Sequence, residues 1–209
     1  MRDPASEIAL APGDVLLIVD VQNDYLPGGA LAVPHGDEVL PLLNRWAARF
    51  HAARLPVVAA RDWHPALHCS FKSRGGYLPP HCVAGTFGAE FPRGLKLPDA
   101  TEVVAKGTQT YRDACSAFEG TQLTQRLNVL GARRVFVAGL PAELSVMATT
   151  MDALMRGWKV LLLADATRAT ERSPGDGARA VELMRKAGAH VLRADAGQAQ
   201  GLAASQQWA

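Results

Sequence analysis

Short apolar runs recur along the chain at 14–20 (DVLLIVD), 56–61 (PVVAAR), 102–106 (EVVAK), 134–139 (RVFVAG), 159–165 (KVLLLAD) and 190–195 (HVLRAD). Each has the length of a strand, and their continuous apolar character is what a parallel sheet covered on both faces requires. Between them, 37–54, 121–131, 142–157 and 174–188 carry apolar residues at helical spacing, and three of these segments close in glycine or near one. The β-α-β-α alternation predicts an α/β fold: a doubly wound, six-stranded, mostly parallel sheet with helices on both faces. The segment 62–101, rich in Gly, Pro and His, is too long for an ordinary crossover and is expected to carry function.

Composition narrows the partners. The 209 residues are 48% hydrophobic and 20% charged, which predicts one domain over 1–209 with its core at about 14–195. Residues 196–209 read as a tail in which Trp208 could dock on a neighbour. Net charge is +2 with the basic residues scattered, so no nucleic-acid face is expected and a small molecule is the default partner. No apolar stretch approaches the roughly 20 residues of a membrane span, and the N-terminus lacks a signal peptide's hydrophobic region. The expectation is a cytoplasmic protein with no membrane partner. Cys69, Cys82 and Cys115 are odd in number and form no C-x-x-C pair, which predicts reduced thiols.

Doubly wound sheets bind ligands beyond the carboxyl ends of their strands. Asp20 ends the first predicted strand, Asp62 and His64 follow the second, Lys106 ends the third and Ser145 follows the fourth. Four successive strands therefore deliver ionisable or hydroxylic groups to one edge. A lysine at the end of "VVA" needs a carboxylate partner if it is desolvated, and Asp20 is the natural candidate. A side chain just past a buried strand is also where α/β enzymes place nucleophiles, which draws attention to Ser145. In 62–81, Asp62 stands with His64, His68 and His81, a donor set suited to one divalent cation such as Zn, Fe or Mn.

The successive segments "IVDVQNDYLPGGAL", "RDWHPALHCSF", "PPHCVAGTFGAEF", "KGTQTYRDACSAFEG" and "VFVAGLPAELSVMATTMDALMRGWKVLLLADATRA" resemble, in order, the motifs of the isochorismatase-like hydrolases, in particular the nicotinamidase/pyrazinamidase branch. The resemblance spans about 14–170. It implies hydrolysis of a small aromatic amide to the acid and ammonia by an Asp, Lys and Cys triad beside a metal. By motif position Asp20 matches the general base, Lys106 the lysine, and Asp62, His64, His68 and His81 the metal ligands. Tyr25, Leu78, Leu140 and Pro141 match substrate-facing positions, and dimers or tetramers are compatible with the resemblance.

The chain departs from the family pattern at its nucleophile. "GLATDYCV" is replaced by "GLPAELSV" at 139–146, which puts Ser145 in the cysteine's place. A serine hydroxyl is a far weaker acid than a thiol of pKa about 8.5, so an aspartate tuned to a thiol is a poor base for it. Pro141 has no N–H and stands where the family has an oxyanion donor, whose loss costs roughly a hundred- to a thousandfold in rate. The family's cis peptide at this turn suits Leu140-Pro141, since proline adopts cis readily. Leu78 replaces an aromatic residue common before "PPHC", with Tyr77 beside it as a substitute.

These readings predict a metal-containing amidase of weak or altered turnover. Two alternatives stay open: an isochorismatase-type vinyl ether hydrolase with Asp20 as acid, and a non-catalytic small-molecule-binding protein on the same scaffold.

Overall fold

The computed structural model describes residues 8–193; the predicted tail and Trp208 lie outside them. Six strands form one parallel sheet: β1 Asp14–Val19, β2 Val57–Asp62, β3 Glu102–Lys106, β4 Arg134–Gly139, β5 Lys159–Thr167 and β6 His190–Leu192. Their order is β3-β2-β1-β4-β5-β6, with every pairing parallel. The order reverses between β1 and β4, so the crevice beyond their carboxyl ends is the switch point where such sheets take ligands.

Both faces of the sheet are covered, which explains the continuous apolar strands. Leu16 and Ile18 of β1 pack on one side with Phe136 of β4 and Leu161 of β5, whereas Val15, Leu17 and Val19 pack on the other with Val135, Val137 and Leu162. The first side is closed by α1 (Val39–Ala52), which buries Val39, Leu43, Trp46, Ala47 and Phe50 at i, i+4, i+7, i+8 and i+11, one stripe of a helix. The second is closed by α2 (Leu123–Val129), α3 (Met147–Met155) and α4 (Asp176–Lys186), which contribute Leu127, Ala153 and Met184.

The predicted helix at 142–157 has a different start from the one expected. Ala142–Val146 forms a single π-helical turn before α3 begins at Met147. Such wide turns recur at functional sites. They have no apolar period of their own, which is why the sequence reads as one helix. The Leu140-Pro141 bond at its entrance is cis. Strand β5 also runs two residues beyond its predicted end, because a bulge after Val137 lets Thr167 pair with Gly139. All three cysteines are free thiols.

Candidate active site

At the carboxyl edge of the sheet, β1, β2 and β3 bring Asp20, Asp62 and Lys106 together. Residues 62 and 106 are direct partners in the β2–β3 register. Lys106 Nζ lies 2.6 Å from Asp62 Oδ1 and 2.8 Å from Asp20 Oδ2, and donates a further bond of 3.2 Å to the Ala114 carbonyl. All three charged residues are buried, at 0% (Asp20), 3% (Asp62) and 1% (Lys106) exposure. Two carboxylates thus share one ammonium in a low-dielectric site.

The two acids differ in what else they hold. Asp62 accepts a 2.6 Å bond from the Tyr25 hydroxyl, and its backbone is clasped by Gln22, whose Oε1 accepts from Asp62 N and whose Nε2 donates to Asp62 O. Asp20 meets the ammonium through Oδ2 and feels the Ser145 hydroxyl, and it has no clasp like the one Gln22 gives Asp62. It also sits at φ 52°, a left-handed backbone uncommon for a side chain larger than glycine and found where function holds it. Burial raises the Asp20 carboxyl to about 7 against the lowering pull of Lys106, and the Asp62 charge adds to the rise. For Asp62, burial is outweighed by Lys106, His64 and the Tyr25 hydroxyl, so its carboxyl is held below the usual range. Lys106 is raised, since the two carboxylates overcome its burial, and it stays charged. One acid can take up and return a proton near neutrality while its neighbour stays ionised.

Beside this cluster, Asp62, His64 and His81 place one donor atom each within 4.8 Å of one another, all three buried. His64 Nδ1 faces the Gly107 carbonyl at 3.0 Å and His81 Nδ1 the Pro79 carbonyl at 2.9 Å. A carbonyl only accepts, so each Nδ1 carries the proton and each Nε2 keeps its lone pair for an ion. His64 Nε2 is 3.7 Å from Asp62 Oδ1, close to the roughly 3.4 Å between neighbouring ligand atoms on a tetrahedral zinc. The donor set fits a borderline divalent cation.

His68 stands outside that group. Its Nε2 donates to the Arg112 carbonyl at 3.2 Å, which leaves Nδ1 to accept from the Ser70 hydroxyl at 2.8 Å. Its ring stacks on His64 at 4.1 Å, and it forms a second, partly exposed group with His64 and Asp113. Ser145 is buried in the π-helical turn and acts on Asp20 as a weaker, lowering neighbour. Of the substrate-facing candidates, Tyr25 and Leu140 are buried, Pro141 is buried at the mouth of the turn, and Leu78 is half-buried in a bridge with Phe71. Tyr77 is 91% exposed and supplies no wall to a buried pocket.

Gln22 escaped the sequence reading. Its signal was a lone amide in the polar stretch directly after an apolar strand, and its meaning depended on Asp62 and Ala89, 40 and 67 residues away.

Residues 14–196 match the isochorismatase domain model. The nicotinamidase of Escherichia coli K12 is 35% identical over 199 residues, covering 85% of this chain and 93% of that protein. Among solved structures, the zinc complex of Pyrococcus horikoshii pyrazinamidase superposes with a TM-score of 0.83 at 42% identity, covering 87% of this chain and 99% of that one. PnC1 from L. infantum in complex with nicotinate gives 0.81 at 36% identity, covering 89% and 96%. The chain belongs to the isochorismatase family.

Proposed function

We propose that this protein hydrolyses a small aromatic carboxamide of the nicotinamide type to its acid and ammonia, at a rate limited by the turn that bears Ser145. The observation that carries this reading is the buried Asp20–Lys106–Asp62 cluster next to the Asp62, His64 and His81 donors. The nicotinamidase and pyrazinamidase relatives support the same chemistry.

Asp20 takes the proton of the attacking group and returns it to the leaving nitrogen, a role its carboxyl near 7 suits. Lys106 keeps its charge and balances the negative charge that collects beside it. Asp62, His64 and His81 would hold a divalent cation, for which zinc, iron and manganese are the candidates, and His68 stacks on the ring of His64. When bound there, such a cation would supply Lewis acidity to the site. Tyr25, Leu78, Leu140 and Pro141 face the substrate. Ser145 is a weak nucleophile for so mild a base, and Pro141 donates no N–H at its turn. The protein works in the cytoplasm, and assembly into dimers or tetramers accords with the family.

Ammonia release from nicotinamide, with and without added zinc, iron or manganese, tests the reading. Ser145→Cys should raise turnover by an order of magnitude or more, because a thiol ionises far more readily than a hydroxyl. A metal-loaded protein that releases no ammonia from any aromatic amide, as wild type or as Ser145→Cys, overturns it. One observation favours a second reading: an Asp20 carboxyl held near 7 is partly protonated at neutrality and could protonate a vinyl ether. Pyruvate release from isochorismate would then replace ammonia release.

A further inference from the structure

The loop after β3 brings a thiol to the same cluster. The Ala114 carbonyl accepts from Lys106 Nζ at 3.2 Å. Backbone dimensions therefore put the Cα of the next residue, Cys115, at most about 6 Å from that ammonium. Two residues further on, Ala117 N donates to Thr149 Oγ1 at 2.9 Å. Thr149 lies four positions after Ser145, one turn along the same helical path. Cys115 is thus pinned between the buried lysine and the helix that bears Ser145. Its own N–H is fixed by Glu119 Oε2 at 2.7 Å.

Accessibility separates this thiol from the other two. Cys115 is exposed, Cys69 is half-buried, and Cys82 is fully buried. Its ionisation feels the whole cluster: burial raises it most, Lys106 lowers it, and Asp20, Glu119 and Asp62 raise it, to about 11 in all. That is high for a thiol, yet still more acidic than an alcohol. Asp20, 0% exposed and 2.8 Å from Lys106 Nζ through Oδ2, is the proton acceptor of the same cluster.

We infer that Cys115 supplies the nucleophile of this site, attacking from the β3 side what Ser145 faces from the β4 side. The inference rests on the amidase reading above and moves the attacking atom from one wall of the site to the other. The thiol proton passes to the Asp20 carboxylate, the sulfur bonds to the amide carbon, and the carbonyl electron pair moves onto oxygen. The pair returns as the C–N bond breaks, and the proton on Asp20 leaves with nitrogen as ammonia. Water then adds to the thioester and gives Asp20 a proton. The C–S bond breaks, the proton returns to sulfur, and the acid is released.

The test uses the full-length, metal-loaded protein as wild type, Cys115→Ala, Ser145→Ala and Cys69→Ser. Ammonia release from nicotinamide should fall at least about a hundredfold in Cys115→Ala and stay at the wild-type rate in Cys69→Ser. A wild-type rate in Cys115→Ala overturns the inference. A second readout needs no turnover: the aldehyde analogue of nicotinamide, carbon-13 labelled at its carbonyl, forms with a thiol an adduct whose resonance differs from the oxygen adduct and the hydrate. The sulfur-bonded resonance should appear in wild type, persist in Ser145→Ala and vanish in Cys115→Ala. An oxygen-bonded adduct lost in Ser145→Ala, or no adduct at all, overturns the assignment. A sulfur-bonded adduct lost in Cys115→Ala, with no ammonia from any amide, upholds the thiol and removes the amidase reading instead.

Discussion

Strand β1 carries a buried aspartate at its start and another just past its end, and the two are treated differently. Asp14, 1% exposed, is closed into a two-point pair with Arg134, whose Nε and Nη2 lie 2.6 and 2.5 Å from its oxygens, and it also accepts from Ala11 N. Asp20, 0% exposed, shares its cation with Asp62, which Lys106 approaches more closely, at 2.6 Å against 2.8 Å. A buried acid with a guanidinium to itself and both oxygens engaged holds strands together, whereas one that shares its cation with a second carboxylate is raised and available for proton transfer. The amino edge of the sheet is built for stability and the carboxyl edge for chemistry.

The widest break in this contrast comes from Lys106→Met, which leaves two buried carboxylates facing each other without a cation. Loss of about 3–5 kcal/mol in denaturant unfolding is expected, together with loss of turnover. Next comes a crossed pair. Asp20→Asn should lower turnover by about a thousandfold with no loss of melting temperature, while Asp14→Asn should cost about 3 kcal/mol of stability and leave kcat/KM unchanged. Equal effects of the two variants on both readouts would erase the distinction. A smaller effect is expected at Gly107, whose φ is +61° and where a Cβ would stand 2.5 Å from His64 Cε1. Gly107→Ala should push that ring aside and weaken metal binding by about 10- to 100-fold, read by competition with a chelator.

The mildest test is pH. Asp20 is faced by Lys106, Asp62 and Ser145 and, from the β3 loop, by Cys115, and its carboxyl is raised to about 7. The proton-accepting form is the ionised one, so kcat/KM should rise with pH and level off above about 7. Stability runs the other way. A carboxyl whose folded pKa exceeds its unfolded value stabilises fully below the ordinary carboxylate range, and that contribution is lost as pH climbs through about 7. Asp20→Asn should remove this dependence, as read by melting temperature across pH.

The apolar runs made six strands legible because each is covered on two faces. The convergence of Asp20, Asp62 and Lys106 followed from a topological rule about strand ends, independent of side-chain detail. What stayed hidden depended on distant partners or on local winding. Gln22 acquires its role only when Asp62 and Ala89 fold onto it. The π-helical turn at 142–146 shares its residue types with an ordinary helix start. His68 joins His64 and Asp113 in a second group of donors, and its contacts with Asp113 and the Arg112 carbonyl form only when the chain returns at least 44 residues later.

That last feature ties two properties of the molecule to one another. The Arg112 carbonyl on His68 and the 2.8 Å bond from Cys69 N to Thr110 O stitch the histidine loop to the loop over Lys106, and His68 stacks directly on His64. A guest that tightened the second loop would also steady the ring of His64, one of the donors proposed for the ion. Thermodynamic reciprocity would then make the ion raise the affinity for the guest by the same factor.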